Sequence, residues 1–256
     1  MIKLQLKNLV IISMAVFTLS ACGDMFKIDN YDGPNASLNG GIKDIKTGEL
    51  VETDIQNGSR MQFQELGYPT GLLTRVIKQN GEFRDDLFFA GSYSVDFNAC
   101  NFYPFFVDEV VVKKGNNTMD FQVTPYIRVK NVNIVKEGNT IKATFNLEAG
   151  KEEVRLSNVC LYAHTDIYVG DQVTSYTPGG TSFKQEFSPA KEIDESETYT
   201  LTIDLTNEVD KKYFQYARNY YFRVGAMAAI ADGGTKVGTI RRNYAPYTII
   251  NFSVAQ

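Results

Sequence analysis

Residues 139–147 read Asn-Thr-Ile-Lys-Ala-Thr-Phe-Asn-Leu, and apolar and polar side chains alternate along the whole stretch. Successive side chains of a β-strand point to opposite faces of the sheet, so this pattern predicts a strand with one buried face. Residues 198–205 repeat the alternation, and Val159 and Leu161 begin a third such set. Antiparallel sheets that bury one face and expose the other have this pattern. The second half of the chain is therefore predicted to be an all-β sandwich.

Residues 220–226, Tyr-Tyr-Phe-Arg-Val-Gly-Ala, resemble the F strand of an immunoglobulin or fibronectin type III sandwich. That resemblance implies that Tyr220 forms a tyrosine corner, with its hydroxyl bound to backbone at the preceding turn. A short helix is predicted over residues 208–217, with Asn207 as a possible N-cap. We expect an immunoglobulin-like domain over residues 125–256.

The first half of the chain predicts short strands separated by Gly, Asn and Asp turns. Asn80-Gly81 predicts a hairpin, since this dipeptide suits a type I′ turn. Residues 110–113 and 119–123 are predicted to pair as a second hairpin, with Phe121 and Val123 facing inward. Thr124-Pro125 is predicted to end a strand and to separate the two domains, because proline interrupts a ladder.

The first two dozen residues carry a different signal. Two lysines precede an apolar run over residues 9–19, which ends in Leu-Ser-Ala directly before Cys22. The run is too short for a permanent membrane helix and is closed by small residues, as in a secretory signal. Leu-Ser-Ala-Cys resembles the lipobox of bacterial lipoproteins, which implies acylation of Cys22 and a membrane anchor. We expect a signal peptide over 1–21 and a tether over 22–36; the alternative is an ordinary signal peptide with an unmodified cysteine.

Three segments of the first half resemble one known domain. They are Gly41…Asp44…Thr47-Gly48-Glu49, then Asn80-Gly81-Glu82-Phe83, and then Leu87…Gly91-Ser92-Tyr93-Ser94-Val95. Together they resemble the carboxypeptidase-regulatory-like domain, a transthyretin-like sandwich, here over residues 37–124. With the lipobox, the arrangement is similar to a family of two-domain Bacteroidetes surface lipoproteins. Such proteins are commonly encoded beside starch-utilisation-type glycan uptake systems, so the resemblance implies a surface role in polysaccharide uptake.

Composition and motifs narrow the function further. An apolar fraction of 43% and a charged fraction of 22% are typical of a globular protein. A formal charge of −4 argues against nucleic acid as a partner, because that interaction needs clustered Lys and Arg. His164 is the only histidine. It is predicted to lie at the end of a strand rather than to act as a general base paired with Asp166. We expect no enzyme activity and no cofactor.

The two cysteines outside the leader, Cys100 and Cys160, match no zinc-binding spacing, so no metal site is expected. A disulfide between them would have to join the two predicted domains. We expect both to be small buried residues instead.

Aromatic residues are the candidates for binding, since sugars stack on flat rings while polar groups take their hydroxyls. The chain has 15 Tyr and 17 Phe but no Trp. A loop over residues 97–106 mixes rings with Asn. Its Phe105 and Phe106 are predicted to be core, whereas Phe102 and Tyr103 could be either core or an exposed stacking platform.

Two further tyrosines, Tyr68 before Pro69 and Tyr176 before Thr177, are candidate exposed stacking residues in loops. The aromatic cluster over residues 213–222 is predicted to be core, because its spacing fits helix and strand faces.

The family resemblance implies a non-catalytic outer-membrane lipoprotein that binds a poly- or oligosaccharide in association with a glycan uptake complex, facing the cell surface or, as the alternative, the periplasm. The alternative is a structural subunit of a fimbria-like assembly, in which cleavage at an arginine removes the first strand and opens a groove for a neighbour's strand. The first arginine is Arg60, and cleavage there would remove two predicted strands.

Overall fold

A computed structural model describes residues 33–69, 71–173, 176–230 and 238–253. The predicted signal peptide, Cys22 and most of the predicted tether lie outside these residues. In the described ranges, no helix has the length and apolar character needed to cross a bilayer.

The first domain is a sandwich of two sheets. Its strands are β1 (Ala36–Asp44), β2 (Arg60–Glu65), β3 (Leu73–Val76), β4 (Glu82–Phe88), β5 (Gly91–Asp96), β6 (Ala99–Cys100), β7 (Phe106–Val112), β8 (Gly115–Thr118) and β9 (Phe121–Val123). One sheet has the order β4-β1-β8, with β9 also paired to β1, and the other has the order β3-β2-β5-β7. The inward faces of these sheets form one core that includes Phe63, Phe83, Tyr93 and Phe121.

Two turns of this domain differ from the sequence prediction. Gly81 adopts a φ of +83°, as a turn glycine should, but β3 and β4 do not pair with each other. Asn80-Gly81 therefore carries the chain from one sheet to the other instead of closing a hairpin. The predicted hairpin over residues 110–123 is also wrong, because β7 pairs with β5 while β8 and β9 run parallel to β1. Burial of Phe121 and Val123 is confirmed.

The second domain is also a sandwich. Its elements are β10 (Ile127–Glu137), β11 (Thr140–Ala149), β12 (Val154–His164), β13 (Lys184–Glu192), β14 (Tyr199–Asp204), α1 (Glu208–Tyr213), β15 (Arg218–Ile230), β16 (Thr239–Ile240), β17 (Asn243–Tyr244) and β18 (Thr248–Phe252). A three-stranded sheet, β10-β11-β14, faces a sheet of order β13-β12-β15-β17, with β18 also paired to β15. The predicted all-β, two-domain fold is confirmed.

The alternating stretches of the sequence form strands, and the apolar face of each strand is buried as predicted. The apolar side chains of residues 139–147 and 198–203 are almost completely buried between the two sheets. Tyr220 donates its hydroxyl to the backbone carbonyl of Tyr213 at 2.9 Å, which confirms the tyrosine corner. Asn207 caps α1 by accepting a hydrogen bond from the Val209 amide, but the helix ends at Tyr213, four residues before the predicted end.

Cys100 and Cys160 are free and buried, as predicted. Burial raises the pKa of the Cys100 thiol to about 12 and that of Cys160 to about 11. Both thiols therefore stay protonated at neutral pH and act as small apolar side chains.

Candidate functional site

The predicted stacking platform at Phe102 and Tyr103 is not available, because both rings are buried. Phe102 is 1% exposed and packs beside Phe97 in the core of the first domain. Tyr103 packs on Tyr126, with a centroid separation of 4.8 Å, as part of the core of the second domain. Adjacent residues of one loop thus fill two different cores. Both rings are inaccessible because each is packed inside the core of one domain at the domain junction.

The prediction that Phe106 belongs to the core is wrong, because its side chain is exposed. Phe106 begins β7 and its side chain is 58% exposed. It lies opposite Asp96 on the outer face of the sheet, whereas Val95, next along β5, points into the core. Tyr68 is exposed as predicted, at 64%, in the connection between β2 and β3.

Tyr176 lies in the most elaborate connection of the second domain, residues 165–183 between β12 and β13. Residues 165–173 of this connection fold back over the outer face of the five-stranded sheet. Val169 is completely buried against Tyr162 and Tyr244, which project from that outer face. Gly225 makes room for the arrangement, since a Cβ there would lie 2.7 Å from the Arg242 side chain and 2.9 Å from the Tyr244 ring.

The first domain holds one side of this connection. The carboxylate of Asp54 accepts hydrogen bonds from the Asp171 amide at 3.0 Å and from the Tyr244 hydroxyl at 2.9 Å. The side-chain amide of Gln79 donates to the carbonyl of Ile167 at 2.7 Å. Asp54 is 3% exposed, so these bonds are shielded from competing water.

Helix α1 holds the other side of the connection between β12 and β13. The Tyr176 hydroxyl donates to the carboxylate of Asp210, which also accepts from the Gly179 amide at 2.9 Å. The Tyr176 ring stacks on Tyr213 with a centroid separation of 3.8 Å and an interplanar angle of 12°. Burial raises the pKa of the Tyr176 hydroxyl, and the bond to Asp210 raises it further, so the phenol remains a donor. Tyr176 is 6% exposed and supports the site from beneath rather than offering a free ring.

An open depression of about 450 Å³, which we call the aromatic groove, lies beside Tyr176 and α1. Its wall contains Tyr216, which is 62% exposed, and the half-buried Tyr213. The other lining residues that bear polar side chains are Thr165, Thr177, Lys212, Gln215 and Arg218. No carboxylate lines the groove among the described residues.

Sequence reasoning missed Tyr216 by assigning its whole cluster to the core. Val209 and Tyr213 lie one turn apart on α1 and line the groove, and Tyr216 follows just after the helix ends. Asp210 and Phe214 point the other way and are buried. The spacing of Val209 and Tyr213 was the available signal, because a short helix that buries one side leaves the other side to solvent.

A second depression of about 270 Å³, the polar pocket, lies on the other side of Tyr176 and shares Thr177 with the groove. Donors and acceptors alternate around it: Arg242 donates to the Asn158 side-chain oxygen at 2.6 Å, and Lys184 pairs with Glu186 at 3.1 Å. Phe183 adds an apolar wall. Hydroxyl groups both donate and accept, so this lining suits a polyol.

His164 and Asp166 both accept hydrogen bonds from backbone amides. The Nδ1 of His164 accepts from the Asp166 amide at 3.0 Å, and the Asp166 carboxylate accepts from the Tyr168 amide at 3.2 Å. Asp166 thus contacts the imidazole through its backbone amide. Within the described ranges, no group of three or more His, Cys, Asp or Glu is placed to hold a metal ion.

Comparison with known proteins adds the family. The profile of the DUF3823 N-terminal domain, a protein of unknown function, matches residues 36–124. The profile of DUF3823_C, a domain of unknown function, matches residues 127–233. This chain belongs to the DUF3823 family.

Solved structures agree with the DUF3823 assignment. The chain is 46% identical to a protein from Bacteroides uniformis ATCC 8492 that is proposed to bind carbohydrate, with a TM-score of 0.80 over 86% of this chain and 100% of that chain. A DUF3823 family protein from Bacteroides ovatus ATCC 8483 is 21% identical, with a TM-score of 0.64 over 84% and 98% of the two chains. A family member from Parabacteroides merdae ATCC 43184 is 20% identical, with a TM-score of 0.65 over 86% and 100%. No curated protein matches the chain.

Proposed function

We propose that this DUF3823 protein is a non-catalytic, lipid-anchored protein of the outer membrane that binds a saccharide at the aromatic groove and polar pocket. The observation that carries the proposal is the accessible Tyr216 ring inside a concave groove that adjoins a pocket of alternating donors and acceptors. The Bacteroides uniformis protein, 46% identical, is itself proposed to bind carbohydrate, which supports the same class of ligand here.

The groove offers the contacts that sugar rings need. The C–H face of a pyranose can stack on Tyr216 while Gln215 and Thr177 meet its hydroxyls. The rings are pre-positioned, because Tyr213 is held by its stack on Tyr176 and Tyr176 is held by Asp210. A pre-positioned aromatic surface loses little conformational entropy on binding. A saccharide that crosses Thr177 would reach both depressions.

The anchor and location follow from the leader. Acylation of Cys22 would hold the protein at the outer membrane, facing the cell surface, where it could pass glycan to an uptake complex. Each buried methylene adds roughly 0.8 kcal/mol to membrane affinity, so several acyl chains anchor a protein firmly. Electrospray mass measurement of the protein extracted from outer membranes would detect acylation at Cys22 directly.

The fimbrial alternative gains no support from the fold. Cleavage at Arg60 would remove all of β1, the strand that pairs with β4, β8 and β9. It would also remove Asp54 and with it the bonds to Asp171 and Tyr244. Loss of one strand would therefore damage both domains instead of opening a single groove.

Affinity electrophoresis in native gels that contain single polysaccharides tests saccharide binding. We expect retardation by at least one polysaccharide and loss of that retardation in Tyr216→Ala. Tyr247→Ala is the matched control, because Tyr247 is an exposed tyrosine of the same domain that does not line the groove. Absence of retardation across neutral and acidic polysaccharides, or equal retardation of the two variants, would contradict the proposal.

A further inference from the structure

Strand register brings several loops to one end of the first domain, which we call the tip. Ala36, at the start of β1, lies opposite Phe88, at the end of β4, and also pairs with Gly115 of β8. Leu66, just after β2, donates its amide to the carbonyl of Ser92 at 2.8 Å. The β2–β3, β4–β5 and β7–β8 connections therefore emerge side by side.

The tip exposes large apolar side chains. They are Leu66 (40% exposed), Tyr68 (64%), Leu72 (58%), Leu87 (71%) and Phe89 (44%). Single exposed apolar residues are ordinary on a protein surface, but five at the same end of one domain mark an interaction surface. Lys113 and Lys114, between β7 and β8, are exposed at the same end.

The chain enters the domain at this tip. Asn35 donates its amide to the carbonyl of Phe88 at 3.1 Å, and its side chain accepts from the Ala90 amide at 2.8 Å. Cys22, the proposed acylation site, is thirteen residues earlier in the sequence. A chain of that length spans at most about 45 Å. The anchor therefore connects to the domain at its tip and keeps that end within about 45 Å of the bilayer.

The opposite end of β1 faces away from this surface. Asp44, eight residues after Ala36, pairs with Arg128 of the second domain. A strand rises about 3.3 Å per residue, so roughly 26 Å separate the tip from that junction. The second domain, with its groove and pocket, is consequently on the side remote from the anchor.

We propose that the tip inserts its apolar side chains into the membrane interface, so that the protein stands on the bilayer with the second domain projecting outward. The inference rests on the proposed anchor at Cys22. Leucine and phenylalanine side chains enter the boundary of the acyl chains, tyrosine favours the headgroup level, and lysines meet anionic lipid. An acyl anchor and an apolar surface are two membrane signals that reinforce one another.

The absence of tryptophan from the sequence permits a direct measurement of depth. Tyr68→Trp places a single reporter at the tip, and Tyr216→Trp is a matched control, since the two tyrosines are 64% and 62% exposed. Each full-length variant is acylated in the host, purified in detergent and reconstituted into phosphatidylethanolamine–phosphatidylglycerol vesicles whose acyl chains carry bromine. We expect bromine to quench most of the fluorescence of the Tyr68→Trp protein and none of that of Tyr216→Trp.

Two further substitutions in the reporter protein test the role of the apolar side chains at the tip. Adding Leu72→Gln and Leu87→Gln to Tyr68→Trp should reduce quenching without moving the urea unfolding midpoint, because both side chains are mainly in solvent. Vesicle-bound Tyr68→Trp protein that is no more quenched than Tyr216→Trp would overturn the proposal. A blue-shifted but unquenched emission that depends on protein concentration would also overturn it, by showing that a second copy covers the tip. Failure to co-float with vesicles would instead contradict the anchor.

Discussion

The guanidinium of Arg223, on β15 of the second domain, is completely buried and pairs with the carboxylate of Glu52 in the first domain. Its remaining donors bind backbone carbonyls from both domains, among them Thr53 at 2.9 Å and Ala245 at 2.8 Å. Tyr244 covers the guanidinium at 4.3 Å. The two sandwiches are thus joined through a satisfied, buried charge rather than through an apolar surface alone.

Replacing Arg223 by methionine should cost about 3–5 kcal/mol of stability, because Glu52, whose side chain is only 16% exposed, would lose its partner. Since the bond crosses the junction, we expect one urea transition for the wild type and two separate transitions for the variant. Arg84→Met is the control: Arg84 and Asp86 form an exposed pair, whose loss should leave the urea midpoint nearly unchanged. Chemical denaturation followed by circular dichroism measures both effects, and an unchanged midpoint in Arg223→Met would refute the assignment.

Acid should weaken the same junction through Glu148. Burial alone would raise its pKa, but hydrogen bonds from Lys130 and Lys46 and the charge of Arg128 hold the pKa at about 2, below the ordinary 4.5. A lowered pKa means that the stabilisation is complete above pH 4.5 and is lost as the pH falls toward 2. We expect the urea midpoint to fall across this window and to fall less steeply in Glu148→Gln. Parallel curves for the two proteins would be inconsistent with this role.

Tyr176→Phe should destabilise the protein by about 1–3 kcal/mol, because the buried Asp210 would lose the donated hydroxyl. It should also weaken saccharide binding, since the stack beneath Tyr213 would be less firmly held. Tyr216→Phe removes an exposed hydroxyl from a ring of the same groove and should change stability by less than about 0.5 kcal/mol. Thermal unfolding and affinity electrophoresis of the two variants provide the comparison. Equal stability of the two variants would count against a supporting role for Tyr176.

The aromatic groove should prefer acidic saccharides. Lys212 and Arg218 line it without any carboxylate among the described lining residues, although the whole chain has a formal charge of −4. We expect Lys212→Met and Arg218→Met each to weaken binding of a uronate-containing or sulfated polysaccharide about two- to fivefold. Added salt should weaken that binding and leave a neutral polysaccharide unaffected. Lys136→Met, in β10 outside the groove, is the control, and equal salt dependence for both classes of glycan would reject the preference.

The amino-acid sequence by itself determined the fold class, because the period-two alternation at residues 139–147 and 198–205 leaves only one face for burial. It also determined the tyrosine corner, since Tyr220 lies near the start of an F-type strand and its hydroxyl binds the carbonyl of Tyr213, a nearby residue in the sequence. Strand pairing was different. Asn80-Gly81 signals a turn, yet which strands pair afterwards depends on sheets built from residues far apart in sequence, and only the tertiary structure decided that the chain changes sheet there.

The same distinction applies to the site. A list of tyrosines cannot show which rings are buried, because burial depends on what packs above them. Tyr103 is covered by the second domain and Tyr176 by α1, whereas Tyr216 remains open because the helix ends at Tyr213. The tertiary structure alone decided that Thr177 joins a groove to a pocket and that Asn35 enters beside an apolar tip, since both are contacts between segments distant along the chain.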